Sequence, residues 1–465
     1  MRVLLVSTYE LGHQPLHVAS PAGALRAAGH DVRCLDLSVD AWDADAAAWA
    51  EAVAFSVPMH TAMRLARRAA ASLKVDRPGL PICLFGLYAP MGKDRTVGTI
   101  ADRVIAGEYE PALVAWAAGE RGEAGDVVQL GRSVAGPPAL PARDLLPPLG
   151  RYARLVVGGE ERLAGYVEAT HGCSHRCRHC PVPVIYDGRV RTVDETAVLA
   201  DIEQLVDLGA RHVTFGDPDF LNTPQHARRV VLAMHEAFPE LTFDCTTKVE
   251  HVLAHADLWP DLAAAGCLFV ISAFESVDDE VLARLDKGHT AVDASAAVSV
   301  LRGHGIEVRP SWLPFTPWTT PASVADLLDF VVAHDLVANV DPVQYTVRLL
   351  LPEGSLLLAH PDVTPHLGRY DTEALGWSWT PADPASDRLQ ADLASLVERR
   401  VDDPTADVFE EIEHVVRLAA DRPASRPEVV SRGSSPASAR PRLTEPWFCC
   451  SEPTQYQLAA VVPLA

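Results

Sequence analysis

The sequence turns on Cys173-Ser174-His175-Arg176-Cys177-Arg178-His179-Cys180, three cysteines in a CxxxCxxC spacing directly after Tyr166-Val-Glu-Ala-Thr-His-Gly172. The run from Tyr166 to Thr170 alternates and predicts a strand, which His171-Gly172 ends. The thiols therefore sit on a loop at a strand's end. Three thiolates on so short a loop can converge on one soft metal centre. They cannot fill the four corners of a 4Fe–4S cluster, whose ordinary complement is four cysteines, so one iron would stay open to a small molecule. The alternative is zinc, with His171, His175 or His179 as fourth ligand. Zinc knuckles pair one CxxC with a distant second, and no second pair is present.

Downstream of this loop a strand–helix rhythm continues. Apolar positions at helical spacing run over 193–208 and stop at Gly209, and Thr223-Pro224 opens a helix that runs to Phe238. Strands are predicted at 212–215, 241–246, 267–274, 307–313 and 340–347, with helices at 278–285, 291–303 and 323–334. With the strand before the cysteines that makes six, a partial (β/α)6 barrel over 161–365. Active sites of such barrels lie at the carboxyl ends of the strands. The residues placed there are Asp217 and Asp219 in Gly216-Asp-Pro-Asp219, then Thr247 and Lys248, Glu275-Ser276, Arg309 and Trp312, and Gln344, Tyr345 and Arg348.

Upstream, residues 1–135 also alternate, with strands at 3–7, 31–37, 53–57, 81–85 and 103–106. Repeated βα units imply a doubly wound, Rossmann-like parallel sheet whose ligands sit beyond the carboxyl ends of its strands. That places Ser7, Thr8, Ser56, Gly86, Tyr88, Gly107 and Glu108 toward a ligand. Residues 136–160 start with a proline-dense stretch that reads as a stiff connector. Residues 366–421 are helix-compatible and would cap the barrel. Residues 422–465 begin with a Pro-, Ser- and Arg-rich segment expected to be a flexible tether, and then reach Trp447-Phe-Cys449-Cys450.

At 465 residues, 48% hydrophobic and 22% charged, the chain has enough apolar surface for two or three cores. Its formal charge of −22 repels phosphate backbones and disfavours a nucleic-acid partner. No apolar run is long enough for a membrane span, and the N-terminus reads as a strand rather than a signal peptide. Nine irregularly spaced cysteines do not form a disulfide framework, which suits a reducing cytoplasm. Cys34 and Cys83 fall in strands and read as core thiols.

The CxxxCxxC loop after a first barrel strand resembles that of the radical S-adenosylmethionine (SAM) superfamily. The resemblance implies that Cys173, Cys177 and Cys180 hold a 4Fe–4S cluster whose open iron chelates SAM. The reduced cluster would then cleave SAM to a 5′-deoxyadenosyl radical, with electrons from a donor such as flavodoxin or ferredoxin. Ile-Ser-Ala-Phe-Glu275-Ser276, with Leu285-Asp-Lys-Gly-His-Thr290 after it, resembles the fourth-strand ending of cobalamin-type members. Glu275 and Ser276 would then bind SAM's ribose or methionine part, and Asp217 or Asp219 its ammonium. His179 stands where the family has an aromatic ring near adenine, and the loop 314–320 where apolar groups stack on it. Lys287 alone would be an ordinary surface lysine.

The first third resembles the cobalamin-binding domain that precedes many such barrels. Gly107-Glu-Tyr-Glu110 looks like its GEGE-type turn. The histidine motif for cobalt is not intact, since only His13 remains of it. The domain would hold cobalamin without a protein ligand, or be a retained module that binds nothing. Cys449-Cys-Ser-Glu-Pro453 resembles the tail of the CUAEP/CCAEP-tail radical SAM proteins, with Ser451 in place of alanine. Cys449 and Cys450 are candidate catalytic thiols that could hold a thiophilic atom, trap a radical intermediate or shuttle through a disulfide. The expectation is a radical SAM enzyme acting on a small molecule, by methyl transfer or carbon–heteroatom bond formation. The alternatives are a tRNA methylthiotransferase-like enzyme and a non-enzymatic zinc or metalloid binder.

Overall fold

The computed structural model describes residues 1–120, 139–423 and 427–445. The first third is a five-stranded parallel sheet in the order β2-β1-β3-β4-β5, formed by Arg2–Ser7 (β1), Asp31–Asp36 (β2), Ala52–Ser56 (β3), Ile82–Phe85 (β4) and Arg103–Ile105 (β5). Its strands are near-continuous apolar runs because both faces are covered. Leu16–Ala27 (α1) and Glu110–Ala117 (α5) pack on one face; Ala44–Trp49 (α2), His60–Asp76 (α3) and the single turn Lys93–Thr96 (α4) lie between the other strands. Cys34 and Cys83 lie in β2 and β4 as expected, and burial pushes the Cys34 thiol up to about 12.

The second sheet has the order β13-β12-β11-β10-β7-β6-β16. Glu160–Val167 (β7), His212–Phe215 (β10), Thr242–Thr247 (β11), Cys267–Glu275 (β12) and Glu307–Trp312 (β13) are parallel. Arg154–Val157 (β6) and Arg442–Leu443 (β16) extend it antiparallel. Thr170–Gly172 (β8), expected to continue the first barrel strand, pairs instead with Val190–Thr192 (β9) in a separate ribbon. Around the sheet run Val182–Tyr186 (α6), Glu195–Asp207 (α7), Pro224–Ala237 (α8), Val249–Ala254 (α9), Trp259–Ala264 (α10), Asp279–Leu285 (α11), Ala291–Gly303 (α12) and Pro321–Ala333 (α13). Asp278 caps α11 through the amides of Glu280 and Val281, and Thr290 and Asp293 form a capping box on α12. The result is a curled half-barrel.

Three expectations are corrected. The sixth barrel strand at 340–347 does not form. Residues Pro342–Thr346 make a 3-10 turn, because Pro342 has no amide to give a ladder. The Gln344 side chain takes over part of that strand's work, accepting the Trp312 amide at 3.1 Å. The region from 366 is not helical throughout. Leu367–Asp371 (β14) and Gly376–Trp379 (β15) form a hairpin before Pro384–Arg399 (α14) and Thr405–Ala419 (α15), and Arg67 of α3 donates to the Thr372 carbonyl in its turn. The supposed tether is fixed over 427–445. Buried Arg440 bonds the Asn339 side chain at 2.8 Å, Glu307 accepts from the Ser434 amide at 2.6 Å, and β16 pairs with β6. Serines and arginines that read as solvated are satisfying buried acceptors there.

The two sheets meet through Arg143 of the connector, which is 1% exposed. Its guanidinium holds Asp201 of α7 bidentately at 2.6 and 2.7 Å, donates to the Tyr166 carbonyl of β7 at 2.7 Å, and reaches Gln14 of the first domain at 3.1 Å. Breaking a buried pair strands the remaining charge. Arg143→Ala should cost about 3–5 kcal/mol in urea unfolding of the apoprotein, whereas Arg143→Met with Asp201→Leu should cost clearly less. Equal losses in both would contradict this role.

Candidate active site

The cysteine loop is shaped by its flanks. Gly172 has φ 79°, and a Cβ there would lie 2.3 Å from the Arg189 carbonyl oxygen of the ribbon. Only glycine turns the chain into Cys173 at that point. Asn222 accepts the Ser174 amide at 3.1 Å and its hydroxyl at 2.8 Å. Arg178 bonds the last turn of α11 through the Ala283 and Arg284 carbonyls at 3.0 and 2.8 Å. Cys173 and Cys177 are buried, Cys180 is half-buried, and all three, free of disulfides, line one cavity of about 340 Å³.

That cavity also takes in the strand ends of both domains. The first domain contributes Glu10, Leu11, His17, Met59, Gly86, Leu87, Tyr88, Gly107 and Glu108, and the half-barrel Glu168, His171, Asp217, Lys248, Glu275 and Lys287. Gly216 is required beside it, because a Cβ would fall 2.0 Å from the Tyr166 ring. Asp217 ties the start of the cysteine loop to β10, accepting the Ala169 amide at 3.0 Å and the Thr170 hydroxyl at 2.5 Å. Burial raises its carboxyl to about 7.

Glu275 ends β12 with φ 63° and accepts from Lys287 at 3.1 Å and His179 at 3.2 Å. Burial alone would raise its carboxyl, but the Lys287 ammonium, helped by His179, holds it well below the usual range. Lys287 is 2% exposed and bonds Glu275, so it is not the surface lysine that it would be taken for apart from the segment 285–290. Its signal was the turn after α11, which returns this residue under Glu275. His179 makes a polar contact rather than only packing.

Across the cavity runs a chain of histidines and carboxylates that the sequence did not reveal. Glu168 receives His17 at 3.3 Å and His171 at 3.3 Å; His171 also meets Glu108 at 3.0 Å, and His17 the Tyr109 hydroxyl at 2.7 Å. Burial opposes charge on His17, but Glu168 and Glu10 outweigh it and raise the imidazole to about 9. His171 is raised to about 10, with burial outweighed by Glu108 and then Glu168. Glu10 is raised to about 7 by burial. No periodicity marks these residues, because His17 and His171 each find a carboxylate on the other domain.

Several candidates lie elsewhere. Ser7, Thr8 and Ser56 are buried behind the cavity wall, with Thr8 donating to the Ala62 carbonyl at 3.0 Å. Ser276 accepts the Asp278 amide at 3.0 Å and serves the turn into α11. Arg309 lies in a small second cavity, paired with Asp341 at 3.1 Å. Asp219 is fully buried outside the main cavity, accepting from Thr247 at 2.7 Å. The loop 314–320 does not line the cavity; Trp312, Leu313, Leu349 and Leu350 supply its apolar wall. His13 packs on Tyr166, with ring centroids 4.8 Å apart. Cys449 and Cys450 fall outside the described residues.

Residues 167–331 match the radical SAM superfamily, and residues 2–117 match the B12-binding domain. The chain therefore joins a B12-binding domain to a radical SAM domain, the arrangement of cobalamin-dependent radical SAM enzymes. Its fold is similar to that of the cobalamin-dependent SAM radical enzyme OxsB, with a TM-score of 0.68 at 13% identity over 90% of this chain and 71% of that one. The radical SAM methyltransferase TsrM from Kitasatospora setae gives a TM-score of 0.56 at 20% identity, over 71% of this chain and 70% of that one. A ribosomal protein uS12 methylthiotransferase, RimO of Chloroherpeton thalassium, is 22% identical over 198 residues, which are 39% of this chain and 44% of the relative. The chain thus aligns with under half of that relative's length. No helix among the described residues is long and apolar enough to cross a membrane.

A free histidine titrates near 6.5 and folded His17 near 9. The stability from this shift is complete below the unfolded value and is lost as pH rises through the folded one. Thermal unfolding between pH 6.5 and 10 should show the wild type losing roughly 2–3 kcal/mol that His17→Gln lacks at every pH. Parallel curves for the two proteins would contradict it.

Proposed function

We propose that the protein is a cobalamin-assisted radical SAM enzyme that modifies a small molecule. The observation that carries this is the single cavity whose walls are the three thiols on one side and the strand ends of the B12-binding domain on the other. The donor set fits. Cys173, Cys177 and Cys180 would hold a 4Fe–4S cluster and leave one iron for SAM. Lys248, Asp217 and the Glu275–Lys287 pair would bind SAM's polar groups, and Leu313, Leu349 and Leu350 would exclude water. Gly86, Leu87, Tyr88, Gly107 and Glu108 would border the corrin. The histidines on that side, His17 and His171, are held by the carboxylates Glu168 and Glu108. Bound there, these groups supply reductive SAM cleavage and a methyl carrier, while the protein positions the reactants. His17, His171 and Glu10 are placed to hold or pass a proton beside the substrate.

The other readings have less support. A zinc site at the cysteines needs a histidine, yet His171 is paired with Glu108 and His179 with Glu275, and His175 turns away from the cavity that the thiols line. A methylthiotransferase with a second cluster needs more thiols in the first domain, where Cys34 and Cys83 are separated in strands. The acidic surface speaks against an RNA substrate. Electrons would come from a flavodoxin- or ferredoxin-type donor in the cytoplasm.

The tail is the reading's second part. The described chain ends at Glu445, which accepts from Tyr9 at 2.9 Å and packs on Gly12, neighbours of Glu10 and Leu11 in the cavity wall. Cys449 and Cys450 follow four and five residues later, a span of at most about 13–18 Å. In this reading they bind or reduce a thiophilic substrate at the cavity mouth.

Anaerobically reconstituted protein with SAM and a low-potential reductant should release 5′-deoxyadenosine or S-adenosylhomocysteine, detected by mass spectrometry. Release of neither, with the cluster intact by iron and sulfide assay, would overturn the enzymatic reading. Cys449→Ala and Cys450→Ala should keep SAM cleavage in the absence of substrate and lose at least about tenfold in turnover of the true substrate, a barrier change of about 1.4 kcal/mol. Full turnover by both variants would remove the tail from the reaction.

A further inference from the structure

Behind the cysteine loop, outside the cavity, three side chains from three elements converge. His175 comes from the loop itself, Asp219 from the turn after β10, and His251 from α9. His175 Nε2 lies 3.0 Å from His251 Nε2 and 3.9 Å from Asp219 Oδ2, and His251 Nδ1 lies 2.9 Å from the same carboxylate oxygen. Asp219 is fully buried, and its Oδ2 has no hydrogen-bond partner; neither has His251 Nδ1, although the two are so close. The approach is too poorly aligned for a hydrogen bond, and a buried carboxylate oxygen without one is costly.

We propose that His175, Asp219 and His251 bind a divalent transition-metal ion of the zinc class, separate from the iron of the cysteine site. Ligand atoms about 2.0–2.1 Å from a tetrahedral ion stand about 3.3 Å from each other. One ligand atom from each of the three residues lies within 4.8 Å of the other two, so rotations of the two rings bring a consistent set to that spacing. Two imidazoles and one carboxylate suit zinc, cobalt, nickel or ferrous iron, and not calcium or magnesium, which take oxygen ligands. The nearest cation, Lys248, is drawn onto Glu250 at 3.1 Å and does not occupy the space. Glu250 also stands 3.7 Å from His175 Nδ1, on the far side of the ring from His251.

The ion's role follows from its position. None of the three ligands lines the cavity. The ion instead ties the cysteine loop to the half-barrel through His175, whose own amide supports the Cys173 sulfur. It is a structural anchor for that loop.

The test uses full-length protein carrying its iron–sulfur cluster, dialysed against zinc or cobalt(II) and assayed for all metals. One zinc or cobalt per chain beyond the iron is expected. His251→Ala and Asp219→Asn should weaken that binding by more than about a hundredfold, the upper range for losing an outer-shell partner alone. His255→Ala, a neighbouring histidine outside the set, should keep it. X-ray absorption at the zinc edge of the wild type is independent of whether any variant folds, and nitrogen and oxygen scatterers without sulfur are expected. Absence of the extra metal, sulfur around the zinc, or unchanged binding in both variants would each overturn the proposal.

Discussion

The arrangement depends on one buried guanidinium. Arg143 stands in the connector, holds Asp201 and the Tyr166 carbonyl of the half-barrel, and reaches Gln14 of the first domain. It fixes the connector against both domains, and the His17–Glu168 and His171–Glu108 pairs hold the same seam further out. With it, the carboxyl ends of both parallel sheets face each other. Those ends are where open α/β sheets and barrels place ligands. Two ordinary ligand sites thereby become the two walls of one cavity.

Charge then organises the interior. Buried charges persist only when paired, and this cavity pairs them in two groups. Glu275 with Lys287 and His179 lies beside the thiols. Glu168 with His17 and His171 spans the seam between domains. The first group belongs to a single domain, so it holds its geometry wherever the other domain sits. The second is assembled only when the domains meet, and it makes the seam itself polar and proton-rich. Asp217 and Glu10, both raised toward neutrality by burial, add groups able to carry a proton at ordinary pH.

Much of this was legible in the sequence, because it rests on local rules. The CxxxCxxC loop, both strand–helix rhythms and the glutamate ending β12 are properties of short windows. So are the strand ends, which is why Gly86, Gly107, Glu108, Asp217 and Lys248 were found at the cavity. What escaped depends on contacts between distant segments. His17, Glu10 and Glu168 carry no pattern, and Lys287 drew meaning only from the segment around it. The sixth strand failed for a local reason that Pro342 could have signalled. Ser7, Thr8 and Ser56 were placed at strand ends correctly, but all three are buried, and Thr8 is turned onto the Ala62 carbonyl of α3. The serine- and arginine-rich segment after 427 looked solvated, yet Glu307 and Asn339 give it buried partners.

The central claim is that the cluster and the corrinoid share one cavity. Electron paramagnetic resonance of protein holding both a reduced cluster and cobalt(II) cobalamin tests it most directly. The account predicts that each signal is broadened by its paramagnetic neighbour, and that the cobalt signal sharpens in a Cys173→Ala variant lacking the cluster. Sharp, independent signals from protein loaded with both centres would contradict it.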